Sequence, residues 1–201
     1  MRLLLLSLLL LFIACQKKEE KSVVTGAGST ATRVPTQAEL DVYVEGFREK
    51  LIESGLMTTD LEGRFSDLEV VYSDSFPSGV IGSCSIGVSG RVIRINQNFW
   101  GRYSSGNSSH QQLMYHELGH CILQLGHNES TTRISGNNVP TSIMYPFHFS
   151  AATYISNLSY YMSELFQSST PEFLELVATH ATARSPRSDA HNCVFEVHEE
   201  E

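Results

Sequence analysis

The distribution of apolar residues predicts an amphipathic helix near the start of the folded part of the chain. Between Pro35 and Glu53, apolar side chains recur at intervals of four, three and four residues. Positions with that spacing share one face of a helix with 3.6 residues per turn, so this helix is expected to bury one side. The pair Ser54-Gly55 is typical of a helix end. The apolar positions are Leu40, Val44, Phe47 and Leu51.

The same periodicity returns later in the chain. Over residues 154–166, apolar and aromatic residues follow one another at intervals of one, three, three, one, three and one. This spacing predicts a second amphipathic helix, and residues 171–177 are expected to extend it after a break. The spaced positions are Tyr154, Ile155, Leu158, Tyr161, Met162, Leu165 and Phe166.

Three short stretches between these helices predict β-strands. They are rich in Val, Ile and Tyr, and Gly, Pro, Ser and Asp surround them. The predicted strands cover residues 68–73, 80–85 and 91–96, and the polar segment 128–141 is expected to be a loop.

A third apolar stripe, in the middle of the chain, predicts a central helix. An N-cap is expected near Asn107 or Ser108, and Gly126 suits the left-handed residue that ends a helix. His116 and His120 lie beside the stripe, so one side of the helix would be buried while both imidazoles face a cleft. The stripe consists of Met114, Leu118, Cys121, Ile122 and Leu125.

These elements predict an α+β fold with a small mixed β-sheet, a backing helix, a central helix below a cleft and a helical C-terminal part. Residues 36–181 are long enough for one domain with one sizeable core. Residues 15–35 are polar and rich in Gly, Ser and Thr, which predicts a flexible tether. Residues 182–201 are polar and lack periodicity, which predicts a disordered tail.

The first 14 residues are typical of a signal peptide. One positive charge precedes about a dozen apolar residues, fewer than the roughly 20 that span a bilayer. The stretch Phe12-Ile13-Ala14-Cys15 resembles a bacterial lipobox, which implies cleavage before Cys15 and its lipidation. The alternative is a secreted protein cut near Ala14. Gln16 resembles the outer-membrane sorting pattern of Gram-negative lipoproteins, so a cell-envelope location, periplasmic or surface-exposed, is expected.

The charge of the chain restricts its partners. The net charge is −8, and no basic stripe is present in the sequence. These features argue against nucleic acid as a partner and against electrostatic adhesion to anionic lipid. We therefore expect attachment to the membrane by the lipid anchor only. The protein is also expected to be a monomer.

Three cysteines remain after Cys15, and exported proteins commonly pair theirs. Cys84 lies in or beside a predicted strand, and Cys121 directly follows His120. We predict a Cys84–Cys121 disulfide between sheet and helix, with two buried free thiols as the alternative. Cys193 lies in the predicted tail and is expected to be unpaired or a later partner.

The segment His116-Glu117-Leu118-Gly119-His120 carries the candidate chemistry. On a helix it presents two imidazoles one turn apart, and catalytic zinc takes three protein ligands and one water. Glu117 is poorly placed as a ligand and suits a general base that takes a proton from the zinc-bound water. His127 would lie about 16 Å from His116 along a continuing helix, so it can share the metal only if the chain turns back at Gly126. Alternative third ligands are His148 and Glu164.

These histidines, followed by Ser142-Ile143-Met144-Tyr145-Pro146, resemble the metzincin clan of zinc metallopeptidases, and the matrixin-like members most. The pattern of the clan is His-Glu-x-x-His-x-x-Gly-x-x-His. Here Leu123 stands at the glycine place, Gly126 at the place of the third histidine, and His127 follows one residue later. The resemblance implies a metzincin-like zincin fold, a zinc cofactor and His127 as third ligand.

The resemblance also implies roles after the zinc ligands. Met144 would form the floor of a Met-turn beneath the zinc. An extended peptide or protein substrate would lie along an edge strand, for which residues 91–96 are the candidate. The pocket for the side chain after the cut bond would be lined by Tyr145, Pro146, Phe147 and His148.

The expected function is therefore peptide-bond hydrolysis by a zinc metalloendopeptidase of the bacterial cell envelope. Two alternatives remain, a zinc amidase acting on cell-wall peptides and a zinc-binding lipoprotein without turnover. The other histidines have no motif and are expected to be solvated: His110, His180, His191 and His198.

Overall fold

The computed structural model describes residues 33–134, 137–167 and 193–197. Helices and strands share one hydrophobic core, so the predicted α+β class is confirmed. The helices are α1 (Gln37–Glu53), α2 (Thr59–Ser66), α3 (Gln97–Trp100), α4 (Ser108–Cys121), α5 (Ala151–Ser156) and α6 (Leu158–Gln167). The strands are β1 (Leu68–Ser73), β2 (Val80–Gly87), β3 (Gly90–Asn96), β4 (Thr131–Ile134), β5 (Asn137–Pro140), β6 (Phe147–His148) and β7 (Cys193–Val197).

The main sheet is mixed, with the strand order β1-β3-β2-β7-β6. β3 pairs in parallel with β1 and antiparallel with β2, and the two-residue turn from β2 to β3 sets that second register. The predicted edge strand at residues 91–96 is therefore wrong, because β3 is paired on both sides. β2 and β3 extend slightly beyond their predicted bounds, and β1 matches its own.

The expected disordered tail is wrong for residues 193–197. These form β7, which lies between β2 and β6. Cys193, Phe195 and Val197 stand at alternate positions, a period-2 pattern typical of strands, but β7 is short and its partners lie far away in the sequence. Its pairing therefore could not be read from local sequence.

α4 is the helix around which the core is built. Every one of its residues except Ser108 and Gln111 is buried. The prediction of one buried side is therefore wrong, because α4 packs against α1 and α5 as well as against β2, β3 and β7. The predicted N-cap is confirmed, since the side chain of Asn107 accepts a hydrogen bond from the backbone N–H of Ser109.

The C-terminal end of α4 is held by three cross-links. The predicted disulfide between Cys84 and Cys121 is confirmed, and it joins β2 to the last residue of the helix. The Arg91 guanidinium donates to the carbonyl of Cys121, and that of Arg64 donates to the carbonyl of Ile122. Such donors satisfy carbonyls at the helix end that have no partner within the helix. Their positive charges also interact favourably with the negative end of the helix dipole.

Other elements differ in detail from the prediction. The helix expected over residues 154–166 is divided into α5 and α6 at Asn157. The expected loop at 128–141 contains the β4–β5 hairpin. Among the described residues, no helix is long and apolar enough to cross a membrane. The signal peptide, Cys15, the tether up to residue 32, residues 171–177, His180, His191 and His198 lie outside the described residues.

Candidate metal centre

Three histidines converge at the C-terminal end of α4. His116 and His120 lie one helical turn apart, and His127 comes from the loop that follows. Each offers a ring nitrogen, and these nitrogens all lie within 4.8 Å of one another. The rings of His116 and His120 are buried, whereas His127 is exposed. In the part of the chain that the structure describes, no other cluster of three such side chains is close enough to share an ion.

Backbone carbonyls fix the orientation of the two helical imidazoles. His116 Nδ1 lies 2.8 Å from the carbonyl oxygen of Ile143, and His120 Nδ1 lies 2.6 Å from that of Leu125. A carbonyl only accepts hydrogen bonds, so each Nδ1 carries the proton and each Nε2 has a free lone pair. The two Nε2 atoms lie 3.0 Å apart.

That arrangement fits a shared cation. Two facing lone pairs repel each other unless a positive charge lies between them. Nitrogens bound tetrahedrally to zinc, each at about 2.0–2.1 Å, would be roughly 3.4 Å apart. Carbonyls that accept the other ring proton are the usual outer contacts of metal-bound histidines. The donor set therefore fits a transition metal with three imidazole ligands and an open position.

The chain turns back at a different residue from the predicted one. α4 ends at Cys121 rather than near Leu125, and Gln124 has a φ of 57°, whereas Gly126 is not left-handed. The backbone N–H of Leu125 donates to the carbonyl of Gly119, which closes the turn. Gln124 precedes His127 by three residues, as the glycine precedes the third histidine in the clan pattern. The extra residue therefore lies between His120 and the left-handed position.

The Met144 side chain packs against the helix at the site. A Cβ atom added to Gly119 would lie 2.5 Å from Met144 Sδ, so the helix and Met144 approach this closely only because residue 119 is glycine. The Ser142 hydroxyl accepts the backbone N–H of Met144 and donates to Glu164 Oε1. The carbonyl of Met144 accepts a hydrogen bond from the backbone N–H of Asn128, which joins residues 142–144 to the loop that carries His127.

Glu117 is a buried carboxyl group without a polar partner. Its side chain is fully buried, and neither carboxylate oxygen has a hydrogen bond among the described residues. Burial raises the pKa of Glu117 well above its usual range. A Cβ atom on Gly82 in β2 would lie 2.6 Å from Glu117 Oε1, so the carboxyl group occupies space that this glycine leaves open. Buried polar groups nearly always have partners, so a buried carboxyl group without one is a candidate for a functional role.

Burial keeps the histidines neutral, which is the form that binds metal. It lowers the pKa of His116 well below its ordinary value, and nearby His120 lowers it further. Burial also lowers the pKa of His120 to about 4 and lowers that of His127.

The two alternative third ligands lie apart from this cluster. His148 is largely buried, its pKa is lowered to about 4 by burial, and its ring centre lies 5.2 Å from that of Phe99. Glu164 is bound to Ser142, and burial raises its pKa. Neither belongs to the group of side chains that could hold an ion, whereas His127 does.

The residues predicted to line a substrate pocket are all partly buried. Tyr145 and Phe147 make an edge contact, with ring centres 5.9 Å apart. Phe147 and His148 form β6, which pairs with β7.

Sequence reasoning missed three residues at the site: Gln124, Gly82 and Phe195. The Phe195 ring lies over His116 with centres 4.0 Å apart, and it is fully buried. Sequence reasoning also missed the burial of His110. The His110 ring stacks on that of Trp100 with centres 3.9 Å apart, so the expectation that His110 is solvated is wrong. Only the alternating pattern around Phe195 was a usable local signal.

No protein-family model, curated protein or solved structure matches this chain.

Proposed function

We propose that the protein is a zinc-dependent metalloendopeptidase with a metzincin-like fold. The observation that carries this proposal is the unpartnered, fully buried carboxyl group of Glu117, which follows His116 in α4, together with the three histidine nitrogens that converge at the end of the same helix. A zinc site that serves only structure needs no such carboxyl group, and it is commonly closed by a fourth protein ligand.

The three histidines would hold the metal. His116 and His120 would bind through Nε2, because their Nδ1 atoms donate to carbonyls of Ile143 and Leu125. Zinc bound there would polarise a substrate carbonyl and make a coordinated water more acidic. The exposed His127 leaves one side of the cluster accessible from solvent.

Glu117 would act as the general base and then as the general acid. A carboxylate whose pKa is raised by burial is a stronger base than a solvated one, and it accepts a proton from water more readily. The same oxygen can return this proton to the amine that leaves when the peptide bond breaks. Gly82 keeps the space around Glu117 Oε1 free of any side chain from β2.

We further propose that the enzyme acts in the bacterial cell envelope. The apolar run at the N-terminus and the lipobox-like stretch before Cys15 support export and a lipid anchor. The Cys84–Cys121 disulfide supports an oxidising compartment, because such bonds are rare in the cytosol.

The test compares the wild-type protein with Glu117→Ala and with His116→Ala on casein and on peptidoglycan peptides. We expect Glu117→Ala to keep its zinc and lose about a thousandfold in casein cleavage, since general bases contribute about 10² to 10⁴. His116→Ala should lose zinc as well as activity.

Equal activity of wild type and Glu117→Ala would contradict catalysis at this site. Zinc binding without cleavage of either substrate would favour a binding protein. Cleavage confined to cell-wall peptides, and lost in Glu117→Ala, would instead favour the amidase.

A further inference from the structure

β7 lies directly against the candidate metal centre. It pairs antiparallel with β2, where Phe195 lies opposite Gly82, and in parallel with β6, where residue 196 lies opposite Phe147. The other side of β2 is paired with β3. β7 therefore occupies the one hydrogen-bonding edge of β2 that a further strand could use.

Phe195 covers His116 and lies in register with the glycine that faces Glu117. Its ring packs over His116 with centres 4.0 Å apart, and its partner Gly82 approaches Glu117 Oε1 from the sheet side. The ring of His148 lies on another side of it, with centres 6.1 Å apart. A large apolar side chain is thus held, fully buried, against His116.

The pairing of β7 is of the kind by which an extended peptide binds a sheet edge. Main-chain hydrogen bonds supply affinity in that mode and depend little on sequence, while pockets read alternate side chains. β7 has five residues, and its register to β2 shifts between Val80 and Gly82. Short, irregularly paired strands are displaced more readily than long ones.

We propose that β7 is a self-inhibitory strand. It occupies, within the same molecule, the groove between β2 and β6 in which an extended peptide substrate binds, with Phe195 over His116. The inference rests on the proposed peptidase function. It also identifies the substrate class as an extended peptide with an aromatic or large aliphatic residue at the position of Phe195.

The first test changes the backbone of β7 in the full-length, zinc-loaded protein. Glu196→Pro removes one backbone donor from a strand that is paired on both sides, whereas the matched control Glu196→Ala keeps that donor. We expect casein cleavage by Glu196→Pro to rise about fivefold or more over wild type, because one lost hydrogen bond shifts an equilibrium by about that factor. Glu196→Ala should stay within about twofold of wild type.

The second test supplies the strand from outside. An acetylated and amidated peptide of residues 193–197, with serine in place of Cys193, is expected to inhibit Glu196→Pro competitively. The same peptide with Phe195→Ala should inhibit at least about tenfold more weakly, since burial of a phenyl ring contributes well over 1.4 kcal/mol. Fluorescence anisotropy of the labelled peptide gives its affinity without any turnover.

The outcomes separate this inference from the proposed function. If wild type cleaves casein and Glu196→Pro is no faster, β7 is not inhibitory although the peptidase stands. If no variant cleaves casein, the peptidase proposal fails. In that case, tighter binding of the labelled peptide to Glu196→Pro than to wild type still supports a strand-binding groove, and equal binding overturns it.

Discussion

The two sides of the histidine cluster are held in place very differently. On the α4 side, the ligands His116 and His120 are fixed by carbonyl contacts, and the helix end is held by a disulfide and two arginines. On the β7 side, one five-residue strand and the ring of Phe195 form the contact. The first arrangement fixes two of the three histidines by several contacts, while the second rests on one short strand.

The largest predicted effect comes from loosening the α4 side. The Cys84–Cys121 disulfide joins residues 37 positions apart. The chain-entropy relation gives about 4 kcal/mol for a loop of that length. The double variant Cys84→Ala/Cys121→Ala should lose most of that amount in a urea titration under non-reducing conditions. A loss below about 1 kcal/mol would mean that the rest of the core holds the helix end.

A histidine outside both sides shows the effect of burial on stability. Burial lowers the pKa of His110 to about 4, with its ordinary value near 6.5 in the unfolded chain. The unfolded state therefore binds more protons between these values, so this contribution to stability is complete above pH 6.5 and falls as the pH approaches 4. Relative to His110→Gln, wild type should lose about 3 kcal/mol between pH 7 and 4, measured by urea unfolding. A difference that is independent of pH would contradict a buried, neutral His110.

Gly82 of β2 lies between the α4 side and the β7 side, so its substitution tests how the two sides contact each other. In Gly82→Ala the new methyl group would lie 2.6 Å from Glu117 Oε1 and 2.7 Å from Leu113 Cδ1. Overpacking of this kind costs about 1–3 kcal/mol, and it displaces the carboxyl group. We expect the stability to fall by that amount and casein cleavage to fall at least about tenfold, with unchanged zinc content. The matched control Gly87→Ala, in the same strand, has open space around the new Cβ atom.

The smallest predicted effect concerns the turn that brings back the third ligand. Gln124 is left-handed, with a φ of 57°, a conformation that costs a non-glycine residue about 1 kcal/mol. Gln124→Gly should therefore leave zinc affinity intact and stabilise the protein by up to about 1 kcal/mol. Gly126→Ala is the control, because Gly126 is not left-handed and a Cβ atom there would meet open space. Destabilisation by Gln124→Gly would contradict this account of the turn.

The predictions from sequence succeeded where local pattern decides structure. The spacing of Leu40 to Leu51 and the Val- and Tyr-rich composition of β1 are short-range signals, and both elements formed where expected. The Cys84–Cys121 pair was predicted from the placement of one cysteine on a strand and the other on the central helix.

Two of the failures share a physical cause, which is pairing between distant parts of the chain. β7 meets β2 more than one hundred residues away, so nothing near Phe195 indicates its partner. β3 is central because β1 pairs with it in parallel, although β2 lies between these two strands in the sequence. At the turn, glycine is the usual left-handed residue, so Gly126 was preferred over Gln124, although tertiary contacts decided otherwise.

The most direct test of the central claim is X-ray absorption of the zinc-loaded protein together with its His127→Ala variant. We predict one zinc per chain in wild type, bound to three imidazole nitrogens at about 2.0–2.1 Å, with one oxygen donor completing the shell. The His127→Ala variant should show two imidazoles and weaker binding. Identical nitrogen coordination in the two proteins, or no stoichiometric zinc in wild type, would contradict a metal centre built from His116, His120 and His127.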